Sequence, residues 1–256
     1  MGIRIIDLAA IVGAAAWLPP LLKLLARRQI RFIPASTTEI GYSLLGPIIN
    51  ITFSISAAKK EALIEKIDLD ITHESNTQAS FSWQLISEIP FETQSSSGEV
   101  TFFTKNQGAA ALKIPVSILI DRKIGFQSSS FLKRKINALN GIQDKEVHLS
   151  IIKNPDLPDS LFKEKEWTDF EQFLRSEFFW KQGRYEATLR AFESSEKKPF
   201  LEKYSFELSK SQILMLERNI ELALEGFKNS YYLSYKKISK LPSLQLNWIY
   251  PDIYRE

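Results

Sequence analysis

From Gly46 onward, apolar and polar residues take turns along the chain. In Gly46 to Ala57, Ile49, Ile51, Phe53 and Ile55 alternate with Asn50, Thr52, Ser54 and Ser56, the two-residue period of a strand with one buried face. The same period runs through Lys66 to His73 (Ile67, Leu69, Ile71), Ala79 to Ile86 (Phe81, Trp83, Leu85) and Leu112 to Ile120 (Leu112, Ile114, Val116, Ile118, Ile120). Shorter alternations predict strands over Gln29 to Ala35, Glu99 to Thr104, Glu146 to Ile152, Arg184 to Phe192 and Leu201 to Leu208. Several short strands with polar outer faces are the mark of antiparallel sheets packed on one side. The predicted fold is therefore mainly β, an antiparallel β-sandwich with inserted short helices.

Breaks in the alternation mark the connections. Glu88 to Gly98 is acidic and ends in Ser95-Ser96-Ser97-Gly98, which predicts an exposed loop. Ser128 to Asn140 predicts a short helix with Phe131, Leu132, Ile136 and Leu139 on one face and Gly141 at the C-terminal cap. Asn154 to Asp159, with Pro155 and Pro158, reads as a linker. A helix over Thr168 to Trp180 starts with Thr168 and Glu171 at capping-box spacing. Another begins at Ser209 with Gln212 at the same spacing, and its apolar positions Ile213, Leu216, Ile220, Leu224 and Phe227 recur every three or four residues to about Tyr232. The aromatic tail Trp248, Tyr250, Tyr254 is expected to pack back on the body.

The first residues follow another pattern. Leu8 to Leu22 is apolar, preceded by Asp7 and followed by Lys23, Arg27, Arg28 and Arg31. Leu8 to Leu22 alone is too short for a bilayer core of about 30 Å, but a helix over Ile5 to Ala26 reaches about 33 Å. The flanking cations place the remainder of the chain on the cytoplasmic side of the membrane. Pro19-Pro20 removes two backbone donors and bends or ends the helix near its inner interface. Two alternatives are an interfacial helix and a short signal peptide cleaved after Ala14-Ala15-Ala16, which would leave the body secreted or periplasmic.

The charge count reinforces the importance of that segment. Of the 33 cations and 30 acids, five and one fall in residues 1–31, which leaves 28 and 29 in the body. The basic surplus thus belongs to the membrane flank, where cations meet anionic lipid, and gives no case for nucleic acid. The absence of cysteine excludes disulfides, thiolate metal sites and cysteine nucleophiles. A hydrophobic share of 44% and a charged share of 25% are those of an ordinary globular chain.

Catalytic motifs are missing. His73 and His148 have no partner at metal-ligand spacing, and each is expected on a solvent-facing strand position. The chain holds no Gly-x-Ser-x-Gly elbow, dinucleotide fingerprint or phosphate loop. Asp68 and Asp70 share a strand face, an arrangement able to meet a hard cation but read here as solvated charge. Arg122, Lys123, Lys133, Arg134 and Lys135, with Lys145, form a candidate anionic-surface contact, against the plainer reading of a solvated basic face.

Two resemblances add to this. Gly183 and Tyr185, at the head of the alternation Tyr185, Ala187, Leu189, Ala191, are similar to the last two strands of immunoglobulin-like domains. The resemblance implies a Tyr hydroxyl bonded to nearby backbone. Ala16-Trp17-Leu18-Pro19, Glu39-Ile40-Gly41, Gly46-Pro47-Ile48, Thr72-His73-Glu74 and Trp248-Ile249-Tyr250-Pro251 together resemble uncharacterised bacterial single-pass membrane proteins of unknown function. That resemblance implies no activity. The expected organisation is an anchor with basic flank over 1–28, a β-sandwich over 29–208 with a helical insertion at about 121–181, and a C-terminal helix and tail over 209–256. The expected function is a non-enzymatic interaction or scaffold module, without cofactor or metal. It would sit at the bacterial plasma membrane, held by its N-terminal helix, and bind a protein partner. The alternatives are a sensor or accessory subunit of a multi-gene defence or stress system, and a carboxylate- or metal-dependent lipid or glycan enzyme.

Overall fold

The computed structural model describes residues 29–94, 100–154, 156–194 and 198–256, and within 89–106 the backbone alone. The expected anchor, with Lys23, Arg27 and Arg28, lies outside the described residues. Among the described residues no helix is long and apolar enough to cross a membrane.

The chain is mainly β and antiparallel. The described residues form ten strands: β1 (Gln29–Ser43), β2 (Gly46–Ala58), β3 (Ala62–His73), β4 (Gln78–Gln94), β5 (Val100–Gly108), β6 (Leu112–Ile114), β7 (Leu119–Gln127), β8 (Gly183–Glu193), β9 (Phe200–Leu208) and β10 (Ile253–Arg255). Among the described residues three helices accompany them: α1 (Ser129–Ile151), α2 (Lys165–Ser176) and α3 (Lys210–Ser234), with a 3-10 turn at Leu161–Lys163. The two stacked sheets of a sandwich are replaced by one continuous sheet in the order β1-β2-β7-β4-β3-β8-β9-β10, with β5 beside β4 and β6 beside β3.

That sheet curls into a nearly closed barrel. β10 pairs with β9, Ile253 opposite Phe206, while the residues before it reach β1 on the other side. Ile40 and Ile249 exchange backbone bonds of 2.9 and 3.0 Å, and Thr38 N–H donates to Pro251 O at 3.0 Å. Closure removes most of the edge that an open sheet would expose. The interior is filled with side chains rather than left as a cavity: Phe32, Ile49, Ile51, Phe53, Ile55, Ile67, Leu69, Ile71, Phe81, Phe126, Leu189 and Phe206 are all buried there. The polar partners in the alternation point outward and pair across strands, as Ser80 to Asp70 and Ser82 to Asp68 do.

The register gives the barrel two unlike ends. Gln29 lies opposite Ala58, Ser56 opposite Leu119, Ile64 opposite Glu193 and Ala191 opposite Phe200, so these residues form one rim. The opposite rim holds Ser43, Gly46, Gln78, Gln127, Gly183 and Leu208, and from it α1, α2 and α3 depart. α3 stoppers that end, its Ile213 and Leu216 joining the barrel core. Its next turns carry Ile220 and Leu224 into a second core with Phe131, Ile142, Leu149, Trp167, Phe170 and Leu174.

The helices differ from expectation in instructive ways. α1 continues for 23 residues through Gly141 and takes up the predicted strand Glu146 to Ile152, so His148 stands in the last helical turn, exposed. Ile142 and Leu149, two turns apart and both buried, outweigh the cost of about 1 kcal/mol for a glycine inside a helix. α2 starts earlier than Thr168, with Glu164 at the N-cap. Glu171 instead accepts from Trp167 Nε1 at 2.6 Å. The predicted strand Leu112 to Ile120 is broken after Ile114, where Pro115 supplies no donor and Ser117 takes a φ of 59°. The loop expected from Glu88 is paired strand up to Gln94.

Candidate functional site

The helical end of the barrel carries a cleft of about 700 Å³. It lies between the first residues of β4, the N-terminus of α1 and the segment that follows α2, and is lined by Thr77, Gln78, Ser80, Ser128, Arg134, Glu177, Phe178, Phe179 and Lys181. Ser128 caps α1, its hydroxyl accepting from Phe131 N–H at 3.3 Å. Arg134, one turn further on, forms a two-pronged pair with Glu177, with Nε to Oε1 at 3.0 Å. Lys181 Nζ donates to Thr77 Oγ1 at 3.0 Å. The cleft is thus a hydroxyl-rich floor with two cations, one carboxylate and two half-buried phenyl rings. It can hold a polar group or a side chain of a partner. No histidine lines it, and among the described residues no group of three or more His, Asp or Glu is placed to hold a metal ion.

Behind the cleft, a knot of aromatic and polar groups fixes the Phe178–Arg184 segment. Tyr185 OH donates to Lys181 O at 2.8 Å and accepts from Lys181 N–H at 2.5 Å. This is the hydroxyl-to-backbone bond implied by the Gly-x-Tyr pattern, built here on a barrel strand. Burial pushes the Tyr185 hydroxyl up to about 12, so it stays a neutral donor. Trp180 is buried, stacks 6.1 Å from Phe81 and directs Nε1 to Gly41 O at 3.3 Å. Tyr42 OH donates to Leu174 O at 2.5 Å and ties β1 to α2.

The solvent-facing position expected for His73 is not found. His73 is buried at 5% exposure, Nδ1 accepts from Ser75 N–H at 3.2 Å, and Nε2 meets Gln182 O at 2.9 Å. Both ring nitrogens are committed to backbone, so the imidazole buckles β3 to the β8 approach. Asp68 pairs with Lys66 at 2.6 Å and Asp70 with Arg190 at 2.8 Å, and each also accepts from a serine. These carboxylates belong to the outer cross-strand ladder.

The candidate basic cluster is divided by the fold. Arg122 and Lys123 stand on β7, where they pair with Glu88 and Glu39. Arg134 faces the cleft, and Lys135 Nζ donates to Leu44 O at 2.9 Å, its pKa lowered by burial. Lys145 pairs with Glu164 at 2.9 Å. Lys133 is exposed on α1, and Arg31 is exposed on β1 at the opposite end of the barrel. The cleft itself went unpredicted, because Thr77, Ser128 and the pair Glu177 and Lys181 come from three segments far apart in sequence.

No known protein family matches the chain, and no curated protein resembles it in sequence. Among solved structures, a family 123 glycoside hydrolase from Clostridium perfringens, described for glycolipid glycan hydrolysis, superposes with a TM-score of 0.33 at 10% identity. The match covers 72% of this chain and 27% of that one. The chain therefore spans about a quarter of that protein's length.

Proposed function

We propose that this chain is a membrane-anchored interaction module that binds a protein partner through the helical end of its barrel, without catalysis, its body on the cytoplasmic side. The observation that carries this reading is the polarity of the barrel. Residues 1–28, with the apolar stretch Leu8 to Leu22, join the barrel at one rim, and α1, α2 and α3 stand on the other. A protein tethered by its N-terminus offers its far end to the surroundings. That end has the 700 Å³ cleft and an apolar stripe on α1: Ile136, Val147 and Ile151 are 56%, 58% and 73% exposed. Eleven residues separate Ile136 from Val147, about three helical turns, so the three side chains share one face. Tethering raises the effective concentration of whatever binds there. The filled barrel interior and the paired Asp68 and Asp70 favour binding over carboxylate chemistry.

The test uses the full chain in its own membranes, with a photo-crosslinking residue at Ile151 and, separately, at Asp121 on the barrel wall. We expect a discrete protein adduct from position 151 and none from 121, lost when Val147→Asp is added. Adducts of equal yield at both positions, or none at either, would rule the reading out.

A further inference from the structure

The rim opposite the helices is unlike the barrel wall above it. Two clefts, of about 660 and 450 Å³, flank Gln29–Arg31 where the chain enters β1. One is bordered by Phe200 and Leu201, the other by Ile118 and Leu119. Ile118, Leu119 and Leu201 are 53%, 57% and 61% exposed. Val116 and Leu63, on the neighbouring turn and strand, are exposed as well. A watery surface has no use for five large apolar side chains gathered on one rim. Among the described residues of that rim, the cations Arg31, Lys59, Lys60, Lys113, Lys198 and Arg255 outnumber the carboxylates Glu61, Glu193 and Glu202, of which Glu61 pairs with Lys113 at 3.1 Å and Glu202 with Arg255 at 2.7 Å.

We propose that this rim is a second membrane contact: a surface that lies on an anionic bilayer, with Ile118, Leu119 and Leu201 entering the headgroup region and the cations meeting lipid phosphates. The inference rests on the reading of residues 1–28 as an anchor and goes beyond it, by assigning the body its own lipid-binding face. Covalent reach supports the choice of occupant. Seven residue steps separate Leu22 from Gln29, about 25 Å when fully extended. The rim therefore stays within that distance of the apolar stretch. The helical end does not, since a 13-residue strand such as β2 adds about 43 Å along its length. Apolar side chains ringed by cations are what an anionic interface recognises.

The chain has no cysteine, so single probes are clean. Full-length Ile118→Cys, Leu201→Cys and Ile151→Cys variants, checked by circular dichroism, would carry an environment-sensitive fluorophore in vesicles of phosphatidylcholine alone or mixed equally with phosphatidylglycerol. Brominated acyl chains would serve as quencher. We expect blue-shifted, bromine-quenched emission at 118 and 201 in the anionic vesicles, none at 151, and loss of the quenching with Arg31→Glu, Lys59→Glu and Lys198→Glu combined. Unquenched probes at 118 and 201 on protein that still floats with the vesicles would overturn the rim contact and leave the anchor standing. Protein that does not float would overturn both. A blue shift without bromine quenching would mean that a second protein surface covers the rim, and would also overturn the proposal.

Discussion

At Gly183 the backbone takes a φ of 127°, a region that side chains rarely enter. A Cβ there would stand 2.2 Å from Glu74 Oε1 and 2.9 Å from His73 Nε2, in the middle of the buckle between β3 and β8. Strain and crowding add, so Gly183→Ala should cost about 3 kcal/mol in urea unfolding. Gly108→Ala, where no atom lies within 4 Å, should change stability by less than about 0.5 kcal/mol. Equal effects from the two would mean that the buckle is not what holds this end together. The same neighbourhood marks the limit of reading single residues from sequence. Gly183 and Tyr185 announced a hydroxyl-to-backbone bond that the fold contains. His73 gave no such sign, because its bonds run to Ser75 beside it and to Gln182, 109 residues away.

Among the elements, α3 was the most legible, since every signal for it is local. Ser209 and Gln212 form the full capping box, and Ile213, Leu216, Ile220 and Leu224 are buried at the spacing that predicted them. Ser209→Ala should therefore lower stability by about 1 kcal/mol. Thr168→Ala should leave stability nearly unchanged, because α2 begins after Glu164 and Thr168 is an exposed residue inside the helix rather than its cap; thermal melts of the pair would separate cap from bystander. Most strands were legible for a similar reason, since period two records which side faces the core. The failures lie where two periods overlap. Val147, Leu149 and Ile151 alternate like a strand, yet Leu149 is buried and its neighbours are exposed because Leu149 and Ile142 share a helix face. In Leu112 to Ile120 the alternation persists through a turn, and only Pro115 hinted at the break.

At the scale of the molecule, alternation says that strands have an inner face but not how the sheet is joined. A sandwich and a barrel ask for the same pattern. The difference rests on pairings such as Ile40 with Ile249, over two hundred residues apart, and on Asn219. Buried in α3, Asn219 exchanges bonds of 2.7 Å with the backbone of Asn247 and so aims the closing segment at the seam. Tyr250 and Tyr254 of the tail stay exposed, while Ile249 and Ile253 are buried. Removing residues 249–256 should cost about 3 to 6 kcal/mol, from two buried isoleucines, and should make β1 and β9 sensitive to protease. An unchanged unfolding midpoint would show that the seam is ornamental. The closure also sets a schedule for synthesis. A ribosome adding about 5–20 residues per second makes Asp252 roughly 10 to 40 s after Thr37, its partner across the seam. Through that interval the edge of β1 is a nascent strand without its neighbour, held beside whatever first receives the N-terminus, and the barrel can only close once the far end of the message has been read.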